Sequence, residues 1–180
     1  MLVASQKRKE NIAEYLLYMF QVEDLIRSFN FDIEAIDKSL ITQYREDYSF
    51  KREIREWYRS LIVMMKESGV QNTGHIPLLR GLINSLNDIH LSLLQKENEH
   101  EYSELYSLCN PAIEELRIKS GDPDTNDIEV CLNGLYGLLL LRMQKKIVNP
   151  ETQQAFERIS KLLVMVSRRF HEVESGEKEF

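Results

Sequence analysis

Glycine and proline are scarce in this chain, seven and four of 180 residues, roughly half the ordinary usage of both. A sandwich or barrel of many short strands needs turn residues in quantity, so the scarcity argues against loop-rich all-β architectures and for helices. Cysteine is scarcer still. Cys109 and Cys131 are the only two, with neither CxxC spacing nor the numbers of a disulfide framework, so both read as small core residues in a reducing, cytoplasmic setting. Long apolar runs are missing as well: Leu135–Leu141 is seven residues long, contains Gly137 and ends at Arg142, against the ~20 needed to cross a bilayer. The opening Met1–Glu10 brings Lys7, Arg8 and Lys9 after few apolar residues, and Glu14, Glu23 and Asp24 interrupt the next stretch. That is not the pattern of a signal peptide, and no membrane is expected as a partner. Positive charge is not in excess either. A formal charge of −6 opposes the net basic footprint of a whole-protein nucleic-acid binder.

What the chain does have is 43% hydrophobic residues, enough for one core, and they recur at helical spacing. From Gln6 to Phe29, Ile12, Tyr15, Leu16, Met19, Val22 and Ile26 share one face. A weaker segment covers Ile33–Tyr44. Ser49–Glu67 aligns Phe50, Ile54, Trp57, Leu61 and Met64 or Met65, with Gly69 as a C-terminal stop. A segment from about Ile76 to Lys96 aligns Leu79, Leu82, Ile83, Leu86 and Leu93. The stretch Gln95–Glu101 has no stripe and reads equally as a helical turn or a loop. Tyr102–Cys109 resumes the pattern, and Asn110-Pro111 then looks like a cap plus a first-turn proline, predicting a separate or sharply kinked helix over 111–120. After the Gly121–Thr125 loop, Asn126 with Glu129 three residues on opens Asp127–Lys146, apolar around most of its circumference and therefore expected at the centre. Asn149-Pro150 opens the last helix, to about Glu172, with Phe156, Ile159, Leu163, Val166 and Phe170 inward. The expectation is an all-α, single-domain bundle of six or seven helices, mostly antiparallel, over residues 1–174, with a frayed tail at 175–180.

Two blocks are distinctive, QKRKENIAEYLLYMFQVEDLI at 6–26 and LNGLYGLLLLRMQKK at 132–146. With Asn149-Pro150-Glu151-Thr152 and the Ser-Lys-Leu-Leu run at 160–163, the chain resembles a family of about this length from Bacteroidetes-type bacteria that has no assigned activity. The resemblance covers nearly the whole chain. It implies one cytoplasmic helical domain and supplies no site residues.

No motif supplies catalysis or implies a cofactor. GxSxG, HExxH, a Cys–His nucleophile pair and the Gly-rich phosphate fingerprints are all absent. Glu97 and His100 have the Glu-x-x-His spacing of one half of a di-iron site. The second motif and the inward glutamates that such a site needs are missing, so a solvated charge run is the expectation. Asp122, Asp124 and Asn126 match the first ligands of a calcium loop, but the required Gly and bidentate Glu are replaced by Asp127 and Asn133. Turn formation explains the three. Gly134 and Gly137 are read as places where another helix packs closely.

Two groups remain as candidates. Glu23, His90 and Arg142 interrupt otherwise apolar stripes, and burying a charge is costly without a partner. If their helices meet, they form a satisfied core network or line a pocket for a small anionic ligand. Lys51, Arg52, Arg55 and Arg59, with Lys66, form a basic face opposite the Phe50–Leu61 stripe. The Glu67–Val130 segment holds twelve acidic against four basic residues, a complement for that face within the fold or across a dimer. Trp57 points inward and is badly placed to stack on a base, so nucleic acid is not the expected partner. The favoured reading is a non-enzymatic protein that binds a protein partner or a second copy of itself, with no metal and no cofactor.

Overall fold

A computed structural model describes residues 2–45 and 47–178 of the chain. Among these the protein is all-α, with eight helices: α1 (Leu2–Glu10), α2 (Ile12–Ser28), α3 (Ile33–Ser39), α4 (Tyr48–Glu67), α5 (Pro77–Gln95), α6 (His100–Ser120), α7 (Asp127–Met143) and α8 (Pro150–Glu174). A 3₁₀ turn, Ile41–Gln43, follows α3. No described helix is long and apolar enough to cross a membrane.

The stripes become the core. Ile12, Leu16, Met19 and Ile26 of α2, Leu79, Ile83 and Leu86 of α5, Ile128 and Leu132 of α7, and Ile159, Leu163 and Val166 of α8 are all buried. Helices α7 and α8 pack on each other, and each also touches α2, α5 and α6. The α3–α4 arm joins this centre through α2. On α4 the buried line is Ile54, Tyr58, Leu61, Ile62 and Met65, while Phe50, Trp57 and Met64 are only partly covered. The inward face is thus turned toward Tyr58 relative to the expected stripe, as α4 packs chiefly on α2, α3 and the 3₁₀ turn among the described residues.

Caps set the ends. Asn126 accepts from the Glu129 N–H at 2.9 Å and Asn149 from the Thr152 N–H at 2.7 Å, each filling one orphan donor of a helix start. Gly69 takes φ +70 just past α4, the left-handed stop that glycine adopts without strain. Past α8 the chain makes a turn. The N–H groups of Gly176, Glu177 and Lys178 bond back to Val173 and Glu172 carbonyls, and Lys178 Nζ lies 2.8 Å from Glu172. Positions 179–180 of the expected frayed tail lie outside the described residues.

Two boundaries differ from expectation. The Gln6–Phe29 segment is not one helix, because Asn11 is extended at φ −157 and caps α2 through the N–H groups of Ala13 and Glu14. Ser167 of α8 also faces the Ala13 N–H, at 3.3 Å, so the break is where α2 docks on α8. The second difference is Pro111, which starts no new helix: α6 continues through it to Ser120. Pro111 and Ser107 are both exposed, so the Ser107 carbonyl that loses its i+4 donor lies on the solvent side of the helix, while Cys109 and Ile113 stay buried. Pro111→Ala restores that bond and should raise unfolding stability by about 2 kcal/mol. Urea denaturation checks this, and an unchanged midpoint would show that the ring carries a compensating contact.

Candidate functional site

The out-of-pattern residues occupy two separate buried polar ties. Glu23, on the inner face of α2, accepts the Ile76 N–H at 2.9 Å through Oε1 and faces His75 Nδ1 at 2.5 Å through Oε2. A carboxylate only accepts, so Nδ1 carries the hydrogen. The His75 ring stacks on Phe20 with centroids 3.8 Å apart, and Phe20 meets Tyr136 of α7 edge-on. One position and one turn further along α2, Asp24 accepts from the Tyr136 hydroxyl at 2.6 Å, and Arg27 donates to the Val70 and Gly74 carbonyls. Helix α2 thereby holds the whole α4–α5 connection, Ser68–Ile76, against the bundle. Burial, helped by the bond to Asp24, raises the Tyr136 phenol well above its ordinary range.

His90 belongs to the second tie. Its Nδ1 lies 2.6 Å from the Tyr102 hydroxyl and its Nε2 3.3 Å from Asp127 Oδ2. Tyr106 donates to the same carboxylate at 2.7 Å, and Arg117 donates to Asp127 Oδ1 and to the Thr125 carbonyl. The hydrogen bond from His90, reinforced by Tyr106 and the Arg117 charge, holds the Asp127 carboxyl down at about 2. Burial raises the Tyr102 phenol far above its usual range. A carboxylate, an imidazole and a hydroxyl in series have the connectivity of a catalytic relay. His90 and Tyr102 are fully buried, and Asp127 is partly exposed. The series joins α5, α6 and the start of α7 as a structural tie.

Arg142 joins neither tie. It lies exposed near the C-terminus of α7 and makes no ion pair among the described residues. The three residues nominated from the stripes therefore share no common cluster: the two buried ones find other partners, and the third reaches solvent at a stripe end.

The basic face of α4 is largely engaged at home. Arg55 pairs with Glu34 and Asp37 of α3, Arg59 with Glu56 at 3.0 Å, Lys51 donates to the Thr42 carbonyl at 3.1 Å, and Lys66 lies over the Phe31 ring. Arg52 points to solvent. The partners of Arg55 thus come from α3 and not from the acidic Glu67–Val130 stretch.

Glu97 and His100 are exposed at the α5–α6 turn. Asp122 accepts the Asp124 N–H at 3.1 Å, an Asx turn. No group of three or more metal-type side chains is gathered among the described residues. Burial pushes both thiols, Cys109 and Cys131, upward, away from the thiolate form that reacts.

One surface feature went unnoticed in the sequence. A groove of about 620 Å³ runs between α6, α7 and α8, floored by Val130, Gly134, Gly137, Leu138, Leu140 and Leu141, with Leu116 and Phe156 as walls and Lys119 and Lys146 at its margin. The two glycines differ. A side chain on Gly134 would meet Leu116 at 2.8 Å and Phe156 at 3.0 Å, whereas one on Gly137 meets nothing within 4 Å. Close helix packing, expected at both, occurs at Gly134 alone. Leu141, at the end of the groove, is 38% exposed, and Met143 (67%) and Ile147 (99%) are exposed as well.

Fold and surface together define an all-α protein with a tied-down core and an open, largely apolar groove between α6, α7 and α8. The chain belongs to the family described as a domain of unknown function, DUF4924, whose model matches residues 1–177. No curated protein and no solved structure matches it.

Proposed function

We propose that this protein works by association, as a non-enzymatic cytoplasmic helical module whose working surface is the α6–α7–α8 groove and the ridge at the end of α7. The observation that carries this reading is α7 itself. A helix apolar around its circumference belongs inside a protein, yet the last turns of α7 carry Leu141 and Met143 exposed, and Ile147 follows them. Isolated exposed leucines are ordinary, but an open groove lined largely by apolar side chains, with the exposed Leu141 at its end, is the kind of surface that marks an interaction site. A catalytic or small-anion site built from Glu23, His90 and Arg142 has less support, since both buried groups are saturated by internal partners.

Association is tested in living cells with a photo-cross-linking amino acid at Ile147 and, as control, at the exposed Glu104 of α6. A discrete covalent adduct is expected at 147, lost when Leu141→Glu is added, and absent at 104. No adduct at 147 would overturn the reading.

A further inference from the structure

Beyond association with a protein, we infer that the α6–α7–α8 groove is a binding site for a small amphipathic acid, an aliphatic chain ending in a carboxylate. The chain lies along the leucine-lined floor and the head group meets Lys119 and Lys146. Size and lining set this class of occupant. At about 620 Å³ the groove falls in the range of small-molecule sites, about 300–1,000 Å³. Its exposed lining is far smaller than the ~800 Å² that one partner gives to a standard protein interface, and Leu116 and Phe156 already close it at Gly134. What stays open is a short apolar trough from Gly137 to Leu141.

Gly137 keeps the trough open. Glycine weakens a helix interior, and at Gly134 the close approach of Leu116 and Phe156 accounts for it. No such neighbour exists at Gly137, where an added side chain meets nothing within 4 Å. The missing side chain leaves room beside Leu138, Leu140 and Leu141, which line the same groove. An alkyl chain laid there takes its own apolar surface and that of the leucines out of water together, a gain that needs no directional partner.

Charge sets the head group. The whole chain carries −6, yet among the described residues no carboxylate lines the groove, and its charged lining is Lys119 and Lys146. Lys119 meets Glu115 at 2.6 Å in an exposed i,i+4 pair, a kind of contact that contributes little and exchanges partners easily. Lys146 is exposed and makes no ion pair among the described residues. A cation is repelled here and a neutral chain leaves both ammonium groups unused, so an anion is the complementary occupant. Asn133, Gln144 and Thr152 add hydrogen-bond donors to the same lining.

The test uses the purified full-length protein with decanoate, kept below the concentration at which it forms micelles, in titration calorimetry and amide NMR. One decanoate per chain is expected, with shifts at Gly137, Leu141 and Thr152 and none at Val70 or Ile76. Shortening the chain to octanoate should weaken binding about two- to fourfold for each methylene removed. Decanol and decyltrimethylammonium should bind about threefold or more weakly than decanoate. Lys119→Ala combined with Lys146→Ala should weaken decanoate about three- to tenfold and leave decanol unchanged, a split that loss of folding would not produce. Gly137→Leu projects into open space on a helix and should fold normally, as circular dichroism will show, while weakening decanoate about tenfold or more by filling the trough. No saturable binding, decanol that matches decanoate, shifts centred outside the groove, a double lysine variant of unchanged affinity, or a folded Gly137→Leu protein that binds as well as the native chain would each overturn the site. So would binding to phosphatidylglycerol vesicles with none to free decanoate. A protein that takes up no decanoate while Ile147 still marks an adduct in cells would sink the ligand and leave association standing. Decanoate held in the groove with no adduct at 147 would do the reverse.

Discussion

Glu23→Ala should destabilise the protein by about 3–5 kcal/mol, because it strips a buried tie of its only acceptor and leaves the Ile76 N–H and the His75 ring without partners. The carboxylate is fully buried, with both oxygens used across a gap of more than fifty residues. Glu23→Gln keeps an acceptor for the Ile76 N–H but cannot also accept well from His75, so a smaller loss of about 1–2 kcal/mol is expected. The two variants separate hydrogen bonding from bulk. Hydrogen exchange adds a local readout: amides of Val70 and Ile76 should open faster in the alanine variant, since Glu23 and Arg27 of α2 anchor the connection that carries them. If alanine and glutamine cost the same and the connection exchanges unchanged, Glu23 is a tolerated burial and not a tie.

How much of the molecule was legible depends on what is local in sequence. The α2 and α5 stripes are short-range patterns, and Asn126 and Asn149 declare their caps within three residues; all four appear as read. The break at Asn11 used the same language, an Asn with Glu14 three residues on, but it lies inside an unbroken apolar rhythm that masks it. Pro111 gave the opposite error. Its local signal is strong, yet the freed carbonyl faces water and the helix survives. The candidate polar residues divide along the same line. Glu23 and His90 stand out because each interrupts its own stripe, which needs only neighbours to detect. Their partners do not stand out: His75, Tyr102, Tyr106 and Asp127 are brought up by folding from 12 to 52 residues away. The uncovered end of α7 was hidden for a related reason. Periodicity tells that a helix is apolar all round, and only the lengths and positions of α6 and α8 decide which turns are covered.

Asp127→Ala should cost about 3–4 kcal/mol at neutral pH, comparable to the loss at Glu23, because it leaves the Arg117 guanidinium, the His90 Nε2–H and the Tyr106 hydroxyl short of their shared acceptor at once. Asp127→Asn retains an acceptor oxygen but not the charge, and about 1–2 kcal/mol is expected. The ionised carboxylate also carries a pH signature. Its folded-state value is held at about 2, chiefly by the hydrogen bond from His90, below the ordinary 3.8 that the unfolded chain retains. A group depressed in this way binds its proton more readily when unfolded, so its stabilisation is complete above about pH 4 and drains away as the pH falls toward 2. The shift corresponds to about 1–2 kcal/mol once screening at this partly exposed site is allowed for. Urea unfolding of the native chain and of Asp127→Asn at a series of pH values should therefore show a gap that is constant from neutrality to about pH 4 and narrows below it. A gap that persists undiminished toward pH 2 would mean that charge at Asp127 does not hold α5, α6 and α7 together, and that the neutral hydrogen bonds among Tyr102, His90 and Tyr106 suffice.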